Sequence, residues 1–227
     1  MKLVLLPGLD ATGLLFQPLL KTLPKDIDVV VLSYPTDVLM TYDELVEYVY
    51  ALLPKDNFIL VAESFSGPIA YQLLQRKLSC LHSVIFVATF LESPRPLLSR
   101  LSTLFSPNQI RMMPDFMIKS FLLGRSANNE MLRLFKESLK KVSPEVLSFR
   151  LKELSTLNQS QNEVAGKTKA TYIQASNDNL VLKKSLNDFK KVFSELEIFE
   201  VKGSHFILQT NPQACAKIIC DKQSSCK

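Results

Sequence analysis

Three side chains of this sequence can together make a serine hydroxyl reactive: Ser64, Asp178 and His205. A hydroxyl is a weak nucleophile near neutral pH. It needs a base to take its proton, and the base needs a third group to hold its tautomer. The chain has only two histidines, so the choice of base is narrow. His205 stands in Val201-Lys202-Gly203-Ser204-His205-Phe206, directly after an apolar run, where a glycine turn lets a side chain reach back. His82 precedes an apolar run instead, and reads as a solvated or helix-terminal histidine. Asp178 lies where Thr171–Ala175 gives way to the polar residues Ser176-Asn177-Asp178-Asn179. Capping that turn is its ordinary alternative role. Glu92 is a second candidate acid.

Ser64 sits in Ala62-Glu63-Ser64-Phe65-Ser66-Gly67, a small-x-Ser-x-small pattern between an apolar run and a helix-like one. That layout fits a serine held on a sharp strand-to-helix turn, a nucleophile elbow, although Ala62 and Ser66 stand where glycines are usual. Serines also cap ordinary helices, so this stretch alone does not separate a nucleophile from an N-cap. The chain order Ser64, Asp178, His205, each residue just past an apolar run, favours the nucleophile.

The elements that position these residues follow from hydrophobic patterning. Continuous apolar runs occur at Leu3–Leu6, Ile27–Ser33, Phe58–Ala62, Ser83–Ala88, Ala170–Ala175 and Leu196–Val201. Continuous runs, unlike alternating ones, suit parallel strands covered on both faces. Helical patterns separate most of them, at Leu14–Leu23, Tyr42–Leu53, Pro68–Lys77, Leu182–Phe193 and Pro212–Ile219. Right-handed crossovers then give a doubly wound α/β sheet with its functional crevice at the strands' carboxyl ends. The first strand ends in Pro7-Gly8-Leu9-Asp10-Ala11-Thr12-Gly13. Gly8 and Gly13 have phosphate-loop spacing, but Leu14-Leu15 stand where Lys-Ser/Thr would have to follow. What remains is a glycine turn whose N–H groups can face the crevice.

After Phe90 the alternation stops, and residues 91–160 carry only helical patterns, at Pro96–Phe105, Pro114–Leu123, Asn129–Lys141 and Pro144–Leu157. This segment reads as a helical cap inserted after the fourth strand into a core of residues 1–90 and 161–227. Gln159–Lys169 is the polar return loop. The net charge is +5, and eleven Lys/Arg against six Asp/Glu between residues 91 and 155 account for all of it. Such an excess is either a solvated face or a docking surface for an acidic partner.

No run approaches the roughly 18 apolar residues that span a bilayer. Met1 leads straight into a strand-like run without the pattern of a secretory signal, so a cytoplasmic location with reduced cysteines is expected. Zinc is not expected either, because neither histidine lies near the cysteine cluster Cys215, Cys220, Cys226. Nor is nucleic-acid binding, since no motif supports it beyond a basic isoelectric point.

With these residues in hand, the chain resembles the α/β-hydrolase superfamily, in the lineage of small esterases with an inserted helical cap. The resemblance rests on Leu6-Pro7-Gly8-Leu9-Asp10, Ala62-Glu63-Ser64-Phe65-Ser66-Gly67, Asn177-Asp178 and Gly203-Ser204-His205-Phe206, with Asn211-Pro212 after them. It implies a trimmed fold with a six-stranded, mostly parallel sheet, helices on both faces and no cofactor. It also implies Ser64 as nucleophile, Asp178 as acid, His205 as base, and the N–H groups of Leu9 and Phe65 as oxyanion donors. Pro7 departs from the frequent histidine before Gly8.

The expected activity is hydrolysis of a carboxylic ester with an apolar acyl or alkyl group, through an acyl-enzyme. Phe65, Phe90, Leu101, Phe105, Phe116, Phe121 and Phe206 are the candidate pocket residues. Pimeloyl-acyl-carrier-protein methyl ester esterases, capped hydrolases that engage an acidic carrier through basic cap residues, give one concrete version of the substrate. A thioesterase or acyltransferase would use the same three residues, and a non-catalytic ligand-binding descendant is a further alternative.

Overall fold

Alternation between two faces organises the sheet. The computed structural model describes residues 1–94, 113–124, 127–157 and 168–224. Its strands are β1 (Lys2–Leu6), β2 (Val29–Val31), β3 (Phe58–Glu63), β4 (Leu81–Val87), β5 (Lys169–Ala175) and β6 (Leu196–Val201). They pair in the order β2-β1-β3-β4-β5-β6. Every pairing is parallel.

Successive strand residues point to opposite faces. Leu3, Leu5, Ile59, Val61, Ile85, Val87 and Ile173 face one way, against α1 (Gln17–Thr22) and α7 (Pro212–Ser224). Val4, Leu6, Leu60, Ala62, Val84, Phe86 and Tyr172 face the other, against α2 (Tyr42–Leu52), α3 (Gly67–Gln75) and α6 (Leu186–Val192). This explains the unbroken apolar runs of β1, β3, β4 and β5, where both sets of side chains are buried, whereas the edge strands β2 and β6 are only partly covered. Helix α2 starts at a capping box, in which Thr41 and Glu44 satisfy each other's backbone N–H groups.

Between β4 and β5 the described residues are helical. A turn at Asp115–Met117 runs into π-helical Ile118–Leu123, followed by α4 (Asn129–Lys141) and α5 (Pro144–Thr156). Asn128 caps α4 by accepting from the Met131 N–H at 2.8 Å. Ser143 caps α5 by accepting from the Val146 N–H at 3.1 Å, ahead of Pro144 in its first turn. Ile118, Leu123, Met131, Leu134, Phe135, Leu139, Val142, Val146 and Leu147 form an apolar cluster distinct from the two sheet faces. Farther along α5, Leu151 and Leu154 join the sheet core.

The expected helix over Pro96–Phe105, with Leu101 and Phe105, lies outside the described residues. So do most of the return loop, Cys226 and the side chain of Phe121. Among the described residues no helix is long and apolar enough to cross a membrane.

Candidate active site

All strands being parallel, their carboxyl ends share one edge, and the candidate residues gather there. Strand β1 ends one residue before Pro7-Gly8-Leu9, β3 delivers Ser64, β5 leads to Asp178 and β6 leads to His205. Ser64 adopts φ +48, the left-handed region that non-glycine residues rarely occupy. Its surroundings hold it there. The Thr89 hydroxyl donates to the Ser64 carbonyl, and the Tyr172 hydroxyl donates to the Thr89 carbonyl at 2.7 Å. Ser66 is fully buried, with its hydroxyl donating to the Pro7 carbonyl and accepting from the Tyr34 hydroxyl. A Cβ on Gly67 would overlap the Thr89 hydroxyl and stand 3.0 Å from the Phe90 carbonyl, so the position with no room for a side chain is one residue past Ser66.

His205 reaches across this edge. Its Nδ1–H donates to Asp178 Oδ2 at 2.8 Å, and its Nε2 accepts from the Ser64 hydroxyl at 2.8 Å. A carboxylate can only accept, so the bond to Asp178 sets the tautomer that leaves Nε2 free to take a proton. Asp178 also keeps its turn-capping role, because Oδ1 accepts from the N–H groups of Leu180 and Val181, both at 2.8 Å. One carboxylate thus does both jobs, and the cap aims its other oxygen at the histidine.

The electrostatics around the imidazole are set by buried acids. Burial disfavours the charged form of His205. The Asp178 charge and its hydrogen bond, with Glu63 adding to them, outweigh that and lift its pKa above the ordinary histidine value. Glu63, next to the serine, accepts from the Gln209 side-chain N–H at 2.8 Å. Desolvation raises its pKa to about 7 despite that bond and the nearby imidazole. Asp10 is raised as well, by burial, against hydrogen bonds from Thr12 and the charge of Arg150.

A cavity of about 100 Å³ opens onto Ser64 and His205. Leu9, Leu15, Phe65, Phe90, Leu122 and Phe135 are among its apolar walls, and Phe206 closes one side. The N–H of Phe65 lies in the first turn after the strand, where a helix offers no internal acceptor. Leu9 also lines the cavity, and its N–H has no hydrogen-bond partner among the described residues.

Of the sequence candidates, Phe65, Phe90 and Phe206 line this cavity, and Phe116 does not. Phe116 is 71 % exposed, on the turn Asp115–Met117 that faces solvent, and Leu122 from the following π-helical turn fills the wall instead. Glu92 and His82 are exposed and stand apart from the cavity. Thr89, Gln209 and Arg150 were missed. Arg150 had a readable signal, since it falls on the apolar stripe Val146, Leu147, Leu151, Leu154 of α5.

Comparison with solved structures gives full-length matches. A lipase-esterase related protein from Clostridium acetobutylicum is 19% identical with a TM-score of 0.77, over 97% of this chain and 93% of that one. The fold is that of an α/β-hydrolase. An enol-lactonase from Burkholderia xenovorans aligns with a TM-score of 0.76 at 15% identity, over 98% of this chain and 90% of that one. A structure from a study of carboxylesterases of the thaumarchaeon Nitrososphaera gargenis gives 0.74 at 16%, over 98% and 89%. No protein-family model matches the sequence, and no curated protein matches it significantly. At these identities the likeness is one of α/β-hydrolase fold: a trimmed version with six parallel strands.

Proposed function

We propose that this protein is a serine hydrolase of carboxylic esters, with Ser64 as nucleophile, His205 as general base and Asp178 as the acid that orients it. The unbroken chain of 2.8 Å contacts from Asp178 through His205 to a strained Ser64, at the mouth of an apolar cavity, carries this reading. Ser64 Oγ attacks the acyl carbonyl while its proton passes to His205 Nε2. The oxygen that gains negative charge is met by the N–H groups of Leu9 and Phe65. The tetrahedral centre collapses, and the departing alkoxide takes the proton from the imidazolium. Water, deprotonated by the same imidazole, then releases the acid from the acyl-serine. Fixed donors of this kind are worth about 3–4 kcal/mol each in serine proteases, because they need no reorganisation as charge develops.

The apolar walls favour an acyl or alkyl group without charge. Residues 91–160 act in this reading as a cap, with Leu122, Phe135, Leu139, Leu147 and Leu154 supplying much of the cavity wall. Docking of an acidic carrier on the basic segment would fall to Lys140, Lys141 and Lys152, which are exposed and have no ion pair among the described residues. Arg150 is buried, while Arg133 and Lys136 pair with Glu137 and Asp115.

The test is Ser64→Ala. Turnover of p-nitrophenyl esters should fall at least about 10⁴-fold, and fluorophosphonate labelling of the protein should vanish. Labelling that persists in this variant rules Ser64 out as the nucleophile.

A further inference from the structure

Arg150 is 2 % exposed, far from where an arginine usually sits. Its two terminal nitrogens donate to two different backbone carbonyls, Leu9 at 3.0 Å and Pro35 at 2.8 Å. These carbonyls belong to the loops after β1 and β2, whereas Arg150 comes from α5, which precedes β5 by chain order. The same helix is fastened again one turn on, where Glu153 accepts from the Tyr42 N–H at 3.2 Å. The Tyr42 ring in turn stacks on Phe65, centroids 4.8 Å apart. Burying a guanidinium is costly unless its donors are matched, and here they are spent on loop carbonyls rather than on a carboxylate.

The loop that Arg150 grips is the one that presents the Leu9 N–H. Besides Arg150, that loop is held by the Ser66 hydroxyl on the Pro7 carbonyl, by its own turn, Ala11 N–H to the Gly8 carbonyl at 3.0 Å, and by Tyr34 N–H to the Ala11 carbonyl at 2.9 Å. The turn bond holds the Gly8–Leu9 peptide, which carries the Leu9 N–H, and Arg150 holds the next peptide, Leu9–Asp10, through its carbonyl. We propose that Arg150 is a positioning residue, fixing the Leu9–Asp10 peptide from the helix α5 so that the Leu9 N–H, on the adjoining peptide, stays aimed at the developing oxyanion. This rests on the hydrolase reading above. It makes the inserted helices part of what sets the rate, beyond their part in walling the cavity. A planar fork can bridge two carbonyls, which an ammonium on a single stem cannot do with the same geometry.

Arg150→Lys and Arg150→Met test it. A displaced oxyanion donor is felt in the transition state and little in the ground state, so kcat should fall about tenfold in the lysine variant. In the methionine variant it should fall roughly ten- to a hundredfold, with KM within about threefold of wild type in both. Millimolar methylguanidinium should restore part of the activity of the methionine variant. Affinity for a trifluoromethyl ketone, which forms a tetrahedral adduct, should weaken in step with kcat/KM. A lower melting temperature with kcat within twofold of wild type, in whichever variant folds, would mean that Arg150 only stabilises the protein, and would overturn the proposal alone. Wild-type protein that neither turns over esters nor reacts with a fluorophosphonate would overturn the hydrolase reading, and this inference with it.

Discussion

The two loops that bring Ser64 and His205 together are held in different ways. The serine turn is built into the core: Ser66 is tied to Pro7 and Tyr34, Thr89 grips the Ser64 carbonyl, and Gly67 leaves no free space. The histidine loop is held at one end by the sheet, through Asn177 N–H to the Gly203 carbonyl at 2.9 Å and Gly203 N–H to the Ser176 hydroxyl at 3.3 Å. At the other end it is held by the segment between β4 and β5. The Ser204 hydroxyl donates to the Leu123 carbonyl, and Phe206 meets Phe135 edge-on at 5.8 Å. Ser64 is therefore preset by the core, while His205 shares its support with the helices over the cavity. A disturbance of those helices should reach His205 before it reaches Ser64.

The largest break in this contrast should come from Gly67→Ala. The new methyl must displace Thr89 or the Phe90 carbonyl, and such overpacking costs about 1–3 kcal/mol in stability. Because the displaced group holds the Ser64 carbonyl, kcat should fall about a hundredfold or more, alongside a lower melting temperature. Wild-type rates in that variant would show that the serine turn is less tightly set than its packing suggests.

Ser204→Ala probes the other loop. It removes one hydrogen bond to the segment between β4 and β5, worth about 1 kcal/mol. A two- to tenfold loss in kcat is expected, with phosphonate labelling slowed to the same degree. If Ser204→Ala costs as much as Gly67→Ala, the two loops are equally held and the contrast fails.

The smallest effect concerns pH. His205 must be neutral to accept the serine proton, and its pKa is raised, so kcat/KM should climb with pH through a midpoint above the ordinary histidine value. Glu63, with its own pKa raised to about 7, titrates over the same range, so the acid limb reports the pair. Glu63→Gln removes a negative charge that favours the imidazolium. The limb should then move to lower pH by a fraction of a unit, as read from a profile between about pH 5 and 9. An unmoved limb would mean that Glu63 does not act on His205.

Much of this geometry was legible because it follows from where strands end. A parallel sheet sends every strand's carboxyl end to one edge, and Ser64 follows an apolar run while Asp178 and His205 follow theirs within a few residues. Ser66, read as a small residue standing in for glycine, is more than small, since its hydroxyl ties the serine turn to Tyr34 and Pro7. Arg150 was hidden by being counted as one more positive charge. Its place on the stripe of α5 says more than its sign does. Phe116 erred the other way: its apolar character suggested a pocket wall, but a short turn facing water offers it nothing to pack on. The contact between Glu63 and Gln209, residues 146 apart in the chain, has no local signature at all.

The strained turn at Ser64 has one more consequence, for the order in which the molecule can form. A left-handed serine costs about 1–2 kcal/mol, so it persists only once its surroundings are in place. Pro7, Tyr34, Gly67 and Thr89, the groups that act directly on it, all lie within residues 7–89 and are carried on β1 to β4 and the loops that follow them. Asp178 and His205 come from later chain, in the loops after β5 and β6. A chain folding from its amino end can therefore set the Ser64 hydroxyl first and acquire its partner His205 afterwards. On the proposed function, reactivity would arrive as the last stage of assembly.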